Sequence, residues 1–461
     1  MRSRLLPNLL VVLVLAVLAF GVWSFVYDME GPEIAVEPKV DRISPNTKLA
    51  VRMKDKAGVR ELSLAIRRDG QVQEFFRKRY EDGLTDRTET VPLKDANLQD
   101  GAFELEIKAT DGSLAGFGHG NTRTLSLPMT LDTQPPRLSI KTLPPHIGRG
   151  GCAVIRYTAS EEIHDTGVLI NGNFLVPAFL QKDGSWVCIY PFPYRMSPQD
   201  FRKSVEITAA DGAGNVTRSH ITVMPFDRKF KDDKLTITDA FLGRVYEKLS
   251  HLTPGVTDPM QCYLAVNDAV RRQNMERLFE LTRSSAGAML WNGGFMPLPR
   301  AAVRANFADH RTLYYNGQLI GEASHLGLDL ASLRNAEIPA ANDGRVVFTG
   351  ELGVYGNLCL IDHGLGVFSL YAHMQNFDVK TGDAVTKGQI IGRTDQTGLA
   401  FGDHLHFGII VGGIEVTPIE WLDPKWVKNI VDNVNGVAAP QGQAPQAGQS
   451  SGKATKGKRR R

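Results

Sequence analysis

The sequence predicts a mainly β protein with an N-terminal transmembrane helix, two β-sandwich modules, a helical connector and a C-terminal antiparallel β domain. Three observations support this fold class. An uncharged apolar run opens the chain, alternating apolar and polar residues with Asp-Gly pairs fill its middle, and a glycine-rich segment with clustered histidines ends its folded part. With 461 residues, 42% of them hydrophobic, the chain is long enough for about three domains with real cores.

The charge composition argues against a nucleic-acid-binding protein. Lys plus Arg total 53 and Asp plus Glu total 50, and six of the basic residues lie in the last nine positions. The rest of the chain is therefore slightly acidic, and we expect no nucleic-acid partner. The same composition excludes wholesale disorder and a multi-pass membrane protein, and four cysteines are too few for a disulfide scaffold.

The N-terminal apolar run predicts a membrane anchor over residues 5–27. Residues 9–26 carry no charge and are just long enough to cross a hydrocarbon core. Arg2 and Arg4 precede the run and acidic residues follow it, so the body of the protein should lie outside the cytoplasm. A cleaved signal peptide is the alternative, and it gives the same compartment. A buried soluble helix is a third interpretation.

The middle of the chain predicts two similar β-sandwich modules over residues 32–132 and 133–226. Residues 104–112 and 205–212 are alike, each a strand that runs into an Asp-Gly turn, and their offset of about 100 residues fits one sandwich per copy. Asp-Gly turns occur at 69–70, 82–83, 100–101, 111–112, 183–184 and 211–212. The pattern resembles bacterial immunoglobulin-like modules. The modules are either rigid spacers or surfaces for a glycan or an envelope protein partner.

Two cysteines of the second module, Cys152 and Cys188, lie in predicted strands and could pair in an oxidising compartment. The sequence does not give their separation, so both the free and the paired state stay open.

Residues 235–306 predict a helical connector. Thr238 and Asp239 can cap a helix that runs to Leu249, and a second helical stretch covers 268–283. Its charged and polar composition predicts an exposed connector, with cover of the next domain's cleft as the alternative. The tail at 436–461 is rich in Gly, Pro, Gln and Ser with a basic end, and we expect it to be disordered.

Five of the eleven histidines lie between positions 325 and 406. The first pattern is His325-Leu-Gly-Leu-Asp329. If this segment is extended, the imidazole and the carboxylate share one face, and the small Gly327 between them leaves room for a metal ion.

The second pattern is His404-Leu-His406, in which two imidazoles at i and i+2 of a strand point the same way. His373 follows a predicted strand and forms the third pattern. Two histidines and one carboxylate form a set typical of catalytic zinc, and a further histidine stays free for proton transfer. We expect His363, beside an Asp and a Gly, to be a structural turn histidine.

These patterns, taken in order, resemble the lysostaphin/LytM-type zinc metalloendopeptidases, which cut peptidoglycan peptides. The resemblance covers residues 307–424 and rests on the motifs HLGLD, PAANDGRVVFTG, YGNLCLIDHGLGVFSLYAHM, VKTGDAVTKGQIIG and TGLAFGDHLHFGI. It implies an antiparallel β peptidase domain of the duplicated hybrid motif type, with a groove floored by its sheet. One departure is visible: Gly408 stands where the family often has Glu.

By this resemblance His325, Asp329 and His406 bind Zn²⁺, and His373 and His404 are the two catalytic histidines. We expect His404 to be the general base and His373 to donate a hydrogen bond to the oxyanion or a proton to the leaving amine. The expected protein is a peptidoglycan endopeptidase of the bacterial inner membrane, with its body in the periplasm. The alternative is a non-catalytic envelope protein of the same fold that binds and activates a cell-wall amidase, and a different zinc hydrolase, such as a carboxypeptidase, is a further one.

Overall fold

The computed structural model describes residues 11–21, 29–96 and 98–437 of the chain. Residues 11–21 are helical, and within the described ranges the structure contains no helix that is both long and apolar enough to span a membrane. The rest of the anchor predicted over 5–27 lies outside the described residues, as does the tail predicted as disordered beyond residue 437.

The chain is mainly β and divides into two compact units. The first contains residues up to 137 together with 159–166 and 208–218, and the second contains 138–158, 167–207 and the residues from 219 onward.

The first unit contains two antiparallel-rich sheets around a core of its own. The sheet orders are β1-β3-β6 and β2-β8-β7-β4-β5, and Asp69 and Gly70 form the positive-φ turn that joins β4 to β5. The strands are β1 (Glu33–Glu37), β2 (Arg42–Ile43), β3 (Lys48–Lys54), β4 (Val59–Arg68), β5 (Gln71–Arg79), β6 (Asp86–Pro92), β7 (Gly101–Asp111) and β8 (Thr122–Leu131), with the short helix α1 at Ala115–Gly118.

The next region contains two four-stranded sheets ordered β14-β15-β11-β9 and β13-β12-β16-β17, and a parallel pair, β10-β18. Their elements are β9 (Leu138–Thr142), β10 (His146–Gly148), β11 (Cys152–Ala159), β12 (Ile163–Ile170), β13 (Phe174–Pro177), β14 (Phe179–Leu180), β15 (Trp186–Pro191), α2 (Pro198–Ser204), β16 (Val205–Asp211), β17 (Val216–His220) and β18 (Met224–Phe226).

Strands β11 and β15 are buried on both faces, which decides the state of the cysteines. Cys188 points into the core of the second sandwich, whereas Cys152 belongs to a core cluster that also holds Trp421 of the C-terminal domain. The two thiols lie on opposite faces of one sheet because alternate residues of a strand point in opposite directions. All four cysteines are free and buried, so the pairing that the sequence left open does not occur.

The connector is helical, and Thr238 caps its first helix as the sequence predicts. Its elements are β19 (Asp232–Thr236), α3 (Asp239–Leu249), α4 (Pro259–Ala265), a π-helical turn at Val266–Val270 and α5 (Arg271–Leu281). The prediction of an exposed connector is only partly correct, because most residues of its helices are exposed or half-buried but one face is buried. Val245, Cys262 and Val266 are fully buried in a cluster that includes Val354 of the next domain, because the apolar positions of α3, α4 and the π-helical turn combine into one packed face.

The C-terminal domain is built on one large sheet ordered β20-β23-β31-β27-β26-β25-β29, with β32 paired to β31, beside a smaller sheet β24-β30-β28. A third sheet, β19-β21-β22, joins the connector to it. The elements are β20 (Ala302–Ala305), β21 (His310–Tyr315), β22 (Gln318–Ser324), β23 (Leu328–Ala331), β24 (Glu337–Pro339), β25 (Gly344–Glu351), β26 (Asn357–Asp362), β27 (Val367–Ala372), β28 (Met374–Phe377), β29 (Ala384–Val385), β30 (Ile390–Thr394), β31 (Leu405–Val411), β32 (Ile414–Val416), α6 (Pro418–Leu422) and α7 (Pro424–Val434).

The second sandwich and this domain share contacts beyond the common core. Glu420 of α6 accepts from the backbone N–H of Cys152 at 3.2 Å and pairs with Arg228. Arg156 of β11 donates to the carbonyl of Val434 at the end of α7 at 2.7 Å. The sandwich is therefore packed directly against the domain that carries the clustered histidines.

Candidate metal centre and catalytic site

Strand pairing brings the three predicted zinc ligands together. Asp329 in β23 is the register partner of His406 in β31, and His325 lies in the turn that precedes β23. His325 Nε2 is 2.9 Å from Asp329 Oδ1 and 3.0 Å from His406 Nδ1, and the latter two atoms are 3.1 Å apart. Neighbouring ligands of a tetrahedral zinc ion lie about 3.3 Å apart, since zinc bonds to nitrogen and oxygen are about 2.0–2.2 Å long. The three atoms thus have the spacing of a zinc ligand set.

Gly327 is needed in this turn, for a different reason than the sequence suggests. A Cβ at this position would lie 2.6 Å from His406 Nε2 and 2.7 Å from the carbonyl oxygen of Phe407. The absent side chain therefore makes room for the imidazole of a ligand rather than for the ion itself.

Backbone hydrogen bonds fix which nitrogen of His325 faces the site. Its Nδ1 lies 2.8 Å from the carbonyl oxygen of Asn306, so Nδ1 carries the proton and donates it. Neutral His325 then presents the Nε2 lone pair to the carboxylate of Asp329, which is also an acceptor. Two converging acceptors repel each other unless a cation lies between them. The residues therefore fit a bound Zn²⁺, with the outer nitrogen of His325 oriented as in known zinc sites.

His373 and His404 flank this set with their tautomers fixed in the same way. His373 Nδ1 donates to the carbonyl of Thr397 at 2.7 Å and His404 Nδ1 donates to that of Gly402 at 2.8 Å. Each neutral ring therefore presents a bare Nε2. The His404 Nε2 is 3.5 Å from Asp329 Oδ1. The ring centroids of His373 and His404 are 4.9 Å apart.

The backbone at His373 is unusual. Its φ of 62° lies in the left-handed region, directly after the last residue of β27. This conformation is sparsely populated by residues other than glycine, and it is maintained here by hydrogen bonds from His373 N to Tyr355 O (2.9 Å) and from Asp395 N to His373 O (3.0 Å).

The electrostatics separate the two flanking histidines. Burial lowers the pKa of His373 well below its ordinary value, and charge on the neighbouring His406 and His404 lowers it further. Burial also opposes protonation of His404, but the protonated ring can donate from Nε2 to Asp329, and this hydrogen bond and the carboxylate charge raise the pKa of His404 above its ordinary value. Burial alone would raise the pKa of Asp329, yet the imidazoles of His325, His404 and His406, which can donate to the carboxylate when protonated, lower it well below its ordinary range. Asp329 is therefore ionised.

The site lies in a cavity of about 510 Å³ whose wall includes part of the connector. Asn267, Arg271 and Met275 of the connector line the same cavity as the five site residues. The alternative interpretation of the sequence, in which the connector covers the cleft of the next domain, is therefore correct in part, although which residues form the wall depends on tertiary packing. The connector borders the cleft.

His363 is structural, as predicted. Its Nδ1 lies 2.7 Å from the carbonyl of Asp343, its Nε2 lies 2.7 Å from Ser369 Oγ, and that hydroxyl lies 2.9 Å from the hydroxyl of Tyr371. Both ring nitrogens are thus bonded, the side chain is fully buried, and none of it faces the cavity.

Comparison with known proteins agrees with this geometry. Residues 323–418 match the family model described as Peptidase family M23. The chain contains a Peptidase M23 domain. All five site residues fall within the matched range, which is about a fifth of the chain.

The relatives of the M23 domain include enzymes and an activator. DD-carboxypeptidase/endopeptidase Mpg of Neisseria meningitidis is 38% identical over 95 residues, or 21% of this chain and 22% of the relative. Murein hydrolase activator EnvC of Escherichia coli is 34% identical over 108 residues, or 23% of this chain and 26% of the relative. The chain thus spans about a quarter of the length of these relatives. A solved structure of a putative peptidase M23 from Pseudomonas aeruginosa is 19% identical, covers 60% of this chain and 94% of its own, and superposes with a TM-score of 0.38.

Proposed function

We propose that the M23 domain is a zinc-dependent endopeptidase that hydrolyses cross-links or stem peptides of peptidoglycan. One observation carries the proposal: three potential ligand atoms, one each from His325, Asp329 and His406, lie 2.9–3.1 Å from one another, while two further histidines present bare nitrogens to the same cavity. Two histidines and one carboxylate leave a zinc coordination position open for substrate or water, which is the arrangement of catalytic rather than structural sites.

In this proposal the chain's own residues bind the ion and move one proton. Zinc, when bound by His325, Asp329 and His406, supplies Lewis-acid chemistry that acidifies water and polarises a carbonyl group. His404 accepts a proton from the attacking water at Nε2, as the water oxygen forms a bond to the carbonyl carbon. The imidazolium then gives that proton to the leaving nitrogen as the C–N bond breaks. The ring of His404 is partly exposed to the cavity, whereas that of His373 is buried, so His404 takes up a proton more readily than His373.

The tautomer of His373 favours an acceptor role instead of the donor role expected from the resemblance. Its Nδ1 proton is bonded to Thr397 O, and burial disfavours protonation at Nε2. We therefore propose that neutral His373 accepts a hydrogen bond from the attacking water and orients it.

The alternative function is a non-catalytic activator of a cell-wall hydrolase, which the name of the Escherichia coli relative suggests. The complete set of five residues favours hydrolysis, because an activator needs neither the ligands nor the flanking histidines. In the activator alternative, the second sandwich, packed against the domain, would be the surface that binds an envelope protein partner.

Digestion of purified peptidoglycan sacculi by the full chain tests the proposal. We expect soluble muropeptides, identified by mass spectrometry, when zinc is present, and none after treatment with a chelator. New amino groups at internal peptide bonds would identify an endopeptidase, whereas release of terminal alanine alone would identify a carboxypeptidase. Absence of any product, with stimulation of an added amidase, would favour the activator.

We also propose that the body of the protein lies in the periplasm, attached to the inner membrane through the apolar segment at 9–26. The order of charges around this segment and the location of peptidoglycan support the proposal. Protease treatment of spheroplasts should degrade the body of the protein, and the N-terminal segment should stay in the membrane fraction.

A further inference from the structure

The cavity is lined by positively charged side chains as well as by the metal ligands, and some of these charged side chains belong to the connector. Arg271 is the first residue of α5 and follows the π-helical turn at Val266–Val270, a distortion that is frequent at functional sites. Arg311 in β21, which precedes the M23 match, lines the same cavity. Both guanidinium groups are partly buried, and both face a cavity that also holds the metal ligands.

Neither arginine makes an ion pair within the described part of the chain. The acidic side chains nearby are already bonded elsewhere: Asp268 pairs with Arg272 at 3.3 Å and Glu322 with His310 at 3.4 Å. Asp233, the register partner of Arg311, pairs with Lys231 at 2.8 Å. Arg271 has only a hydrogen bond from its Nε to Asn267 Oδ1, at 3.1 Å.

The two charges also affect each other. Burial lowers the pKa of Arg271, Tyr355 and Tyr263 raise it, and the nearby Arg311 lowers it further. Two partly buried like charges without a counter-ion are costly, and an anion between them removes that cost. Arg271 also lies near Tyr355, whose ring centroid is 5.7 Å from that of His406, so an anion bound here lies close to the metal ligands.

We propose that Arg271 and Arg311 form a carboxylate-binding subsite, so that the substrate is an anionic peptide with a free carboxylate near the bond that is cut. A neutral peptide such as a glycine bridge has no group to neutralise the two guanidinium groups. The proposal rests on the proposed function and specifies its substrate class: stem peptides that carry free carboxylates, recognised by the bidentate bonds that guanidinium groups form with carboxylates.

The test compares two substrates on the full chain. One is a muropeptide dimer with its free carboxylates intact, and the other is the same dimer with these groups converted to carboxamides. We expect wild type to prefer the carboxylate form by about 10- to 100-fold in kcat/KM, mostly through KM. Arg271→Gln and Arg311→Gln should lose this preference, and Arg271→Lys should keep part of it. Arg272→Gln is the matched control, because Arg272 lines the same cavity but is already paired with Asp268.

Calorimetric binding of both peptides, measured in the His404→Ala background, separates this proposal from the proposed function. Selective binding of the carboxylate form that Arg271→Gln abolishes supports the subsite even if wild type hydrolyses neither peptide. Equal binding of the two forms by wild type, or an equal loss in Arg272→Gln, overturns it.

A second inference rests on a different set of contacts. These contacts are made by the loop whose carbonyl oxygens accept hydrogen bonds from both flanking histidines. This loop, residues 396–402, supplies the carbonyls of Thr397 and Gly402 that fix the tautomers of His373 and His404. Lys248 at the end of α3 donates to the carbonyl of Ala400 at 2.7 Å and to that of Gln396.

An aromatic residue of the loop is held by the same helix. The ring of Phe401 lies 5.1 Å from that of Phe241 between centroids, and the side chains of Arg244 and Lys248 lie over it at 4.9 and 5.3 Å. Helix α3 thus contacts both the backbone of this loop and the side chain of its Phe401.

We propose that Lys248 is a positioning residue for His373 and His404, acting through this loop. Lys248→Met should lower kcat by about 10-fold with little change in KM, the effect of a lost second-layer hydrogen bond, and Lys248→Arg should restore most of it. Lys387→Met is the control, because Lys387 also donates to a backbone carbonyl, that of Gly294, away from the loop.

The rate at which the imidazole Nδ1 protons exchange with water is a measurement that does not depend on hydrolysis. In proton NMR spectra the signals of His373 and His404 should exchange with water faster in Lys248→Met than in wild type. Unchanged exchange, or a loss of kcat that Lys248→Arg does not recover, contradicts the positioning role.

Discussion

The M23 domain holds histidines in two contrasting regions, the cavity and the buried strands around His363. In the cavity, His325, His373 and His404 each donate Nδ1–H to a backbone carbonyl and leave Nε2 bare toward one space. Around His363 both ring nitrogens are bonded, one to a carbonyl and one to a serine hydroxyl. His325 and His373 are buried like His363, whereas His404 is partly exposed, so burial alone does not distinguish a functional histidine from a structural one.

The difference lies in the second nitrogen. A histidine with both nitrogens bonded is complete and contributes to stability, whereas one with a single fixed nitrogen is oriented for a ligand or a proton that arrives from outside. Substitutions in the cavity should therefore remove activity without lowering the stability of the fold. Substitutions around His363 should lower the stability of the fold without removing activity.

The largest effect is expected for His406→Ala. Loss of one of three ligands leaves two donors, which should release zinc and reduce hydrolysis to the detection limit. Atomic absorption of the purified variant measures the metal, and thermal unfolding shows whether the fold is kept. A variant that retains stoichiometric zinc would remove His406 from the ligand set.

A smaller effect is expected for His404→Ala. The variant should keep its zinc and lose about 10²- to 10⁴-fold in kcat, the usual contribution of a general base. Metal content and steady-state kinetics on muropeptides, measured together, check this. Near-normal turnover would assign the base to another residue, and lost zinc would make His404 a ligand.

His363→Gln should affect stability and its dependence on pH. Burial lowers the pKa of His363 to about 4, so the neutral form is favoured in the folded protein. The folded pKa is below the unfolded value, so this residue's contribution is complete above pH about 6.5 and falls by up to about 3 kcal/mol as the pH drops toward 4. The variant should unfold more readily at neutral pH and lose less stability on acidification. Denaturant unfolding at several pH values measures both.

The zinc content of His363→Gln should equal that of wild type, which is the control for this substitution. An acid dependence identical to that of wild type would show that His363 does not titrate in this window.

The smallest effect is expected for Ser369→Ala. The change leaves His363 Nε2 without its hydroxyl partner in a fully buried position, which should cost about 1–3 kcal/mol of unfolding free energy. Zinc content and kcat should stay at the wild-type level. A loss of turnover as large as that of His404→Ala would mean that the two regions are coupled and that the contrast between them does not hold.

The sequence predicted the residues of the site more completely than it predicted the rest of the fold. The i and i+2 spacing of His404 and His406 alone predicts that both face one side of a strand, and both do reach Asp329. The prediction of an extended HLGLD segment is only partly correct, since β23 begins at Leu328 and His325 lies in the short connection between β22 and β23. The prediction of an exposed connector is correct only in part, because the packing of α3, α4 and the π-helical turn into one buried face is not visible in the loose apolar pattern of any one of them.

The sequence by itself determined which residue types the site contains and their short-range spacing, because strand periodicity is a local property of the backbone. Only the tertiary structure decided that Asp329 stands opposite His406, that the carbonyls of Asn306, Thr397 and Gly402 select the tautomers, and that Arg271 enters the cavity. These features join segments far apart along the chain, and their register depends on the packing of the whole domain.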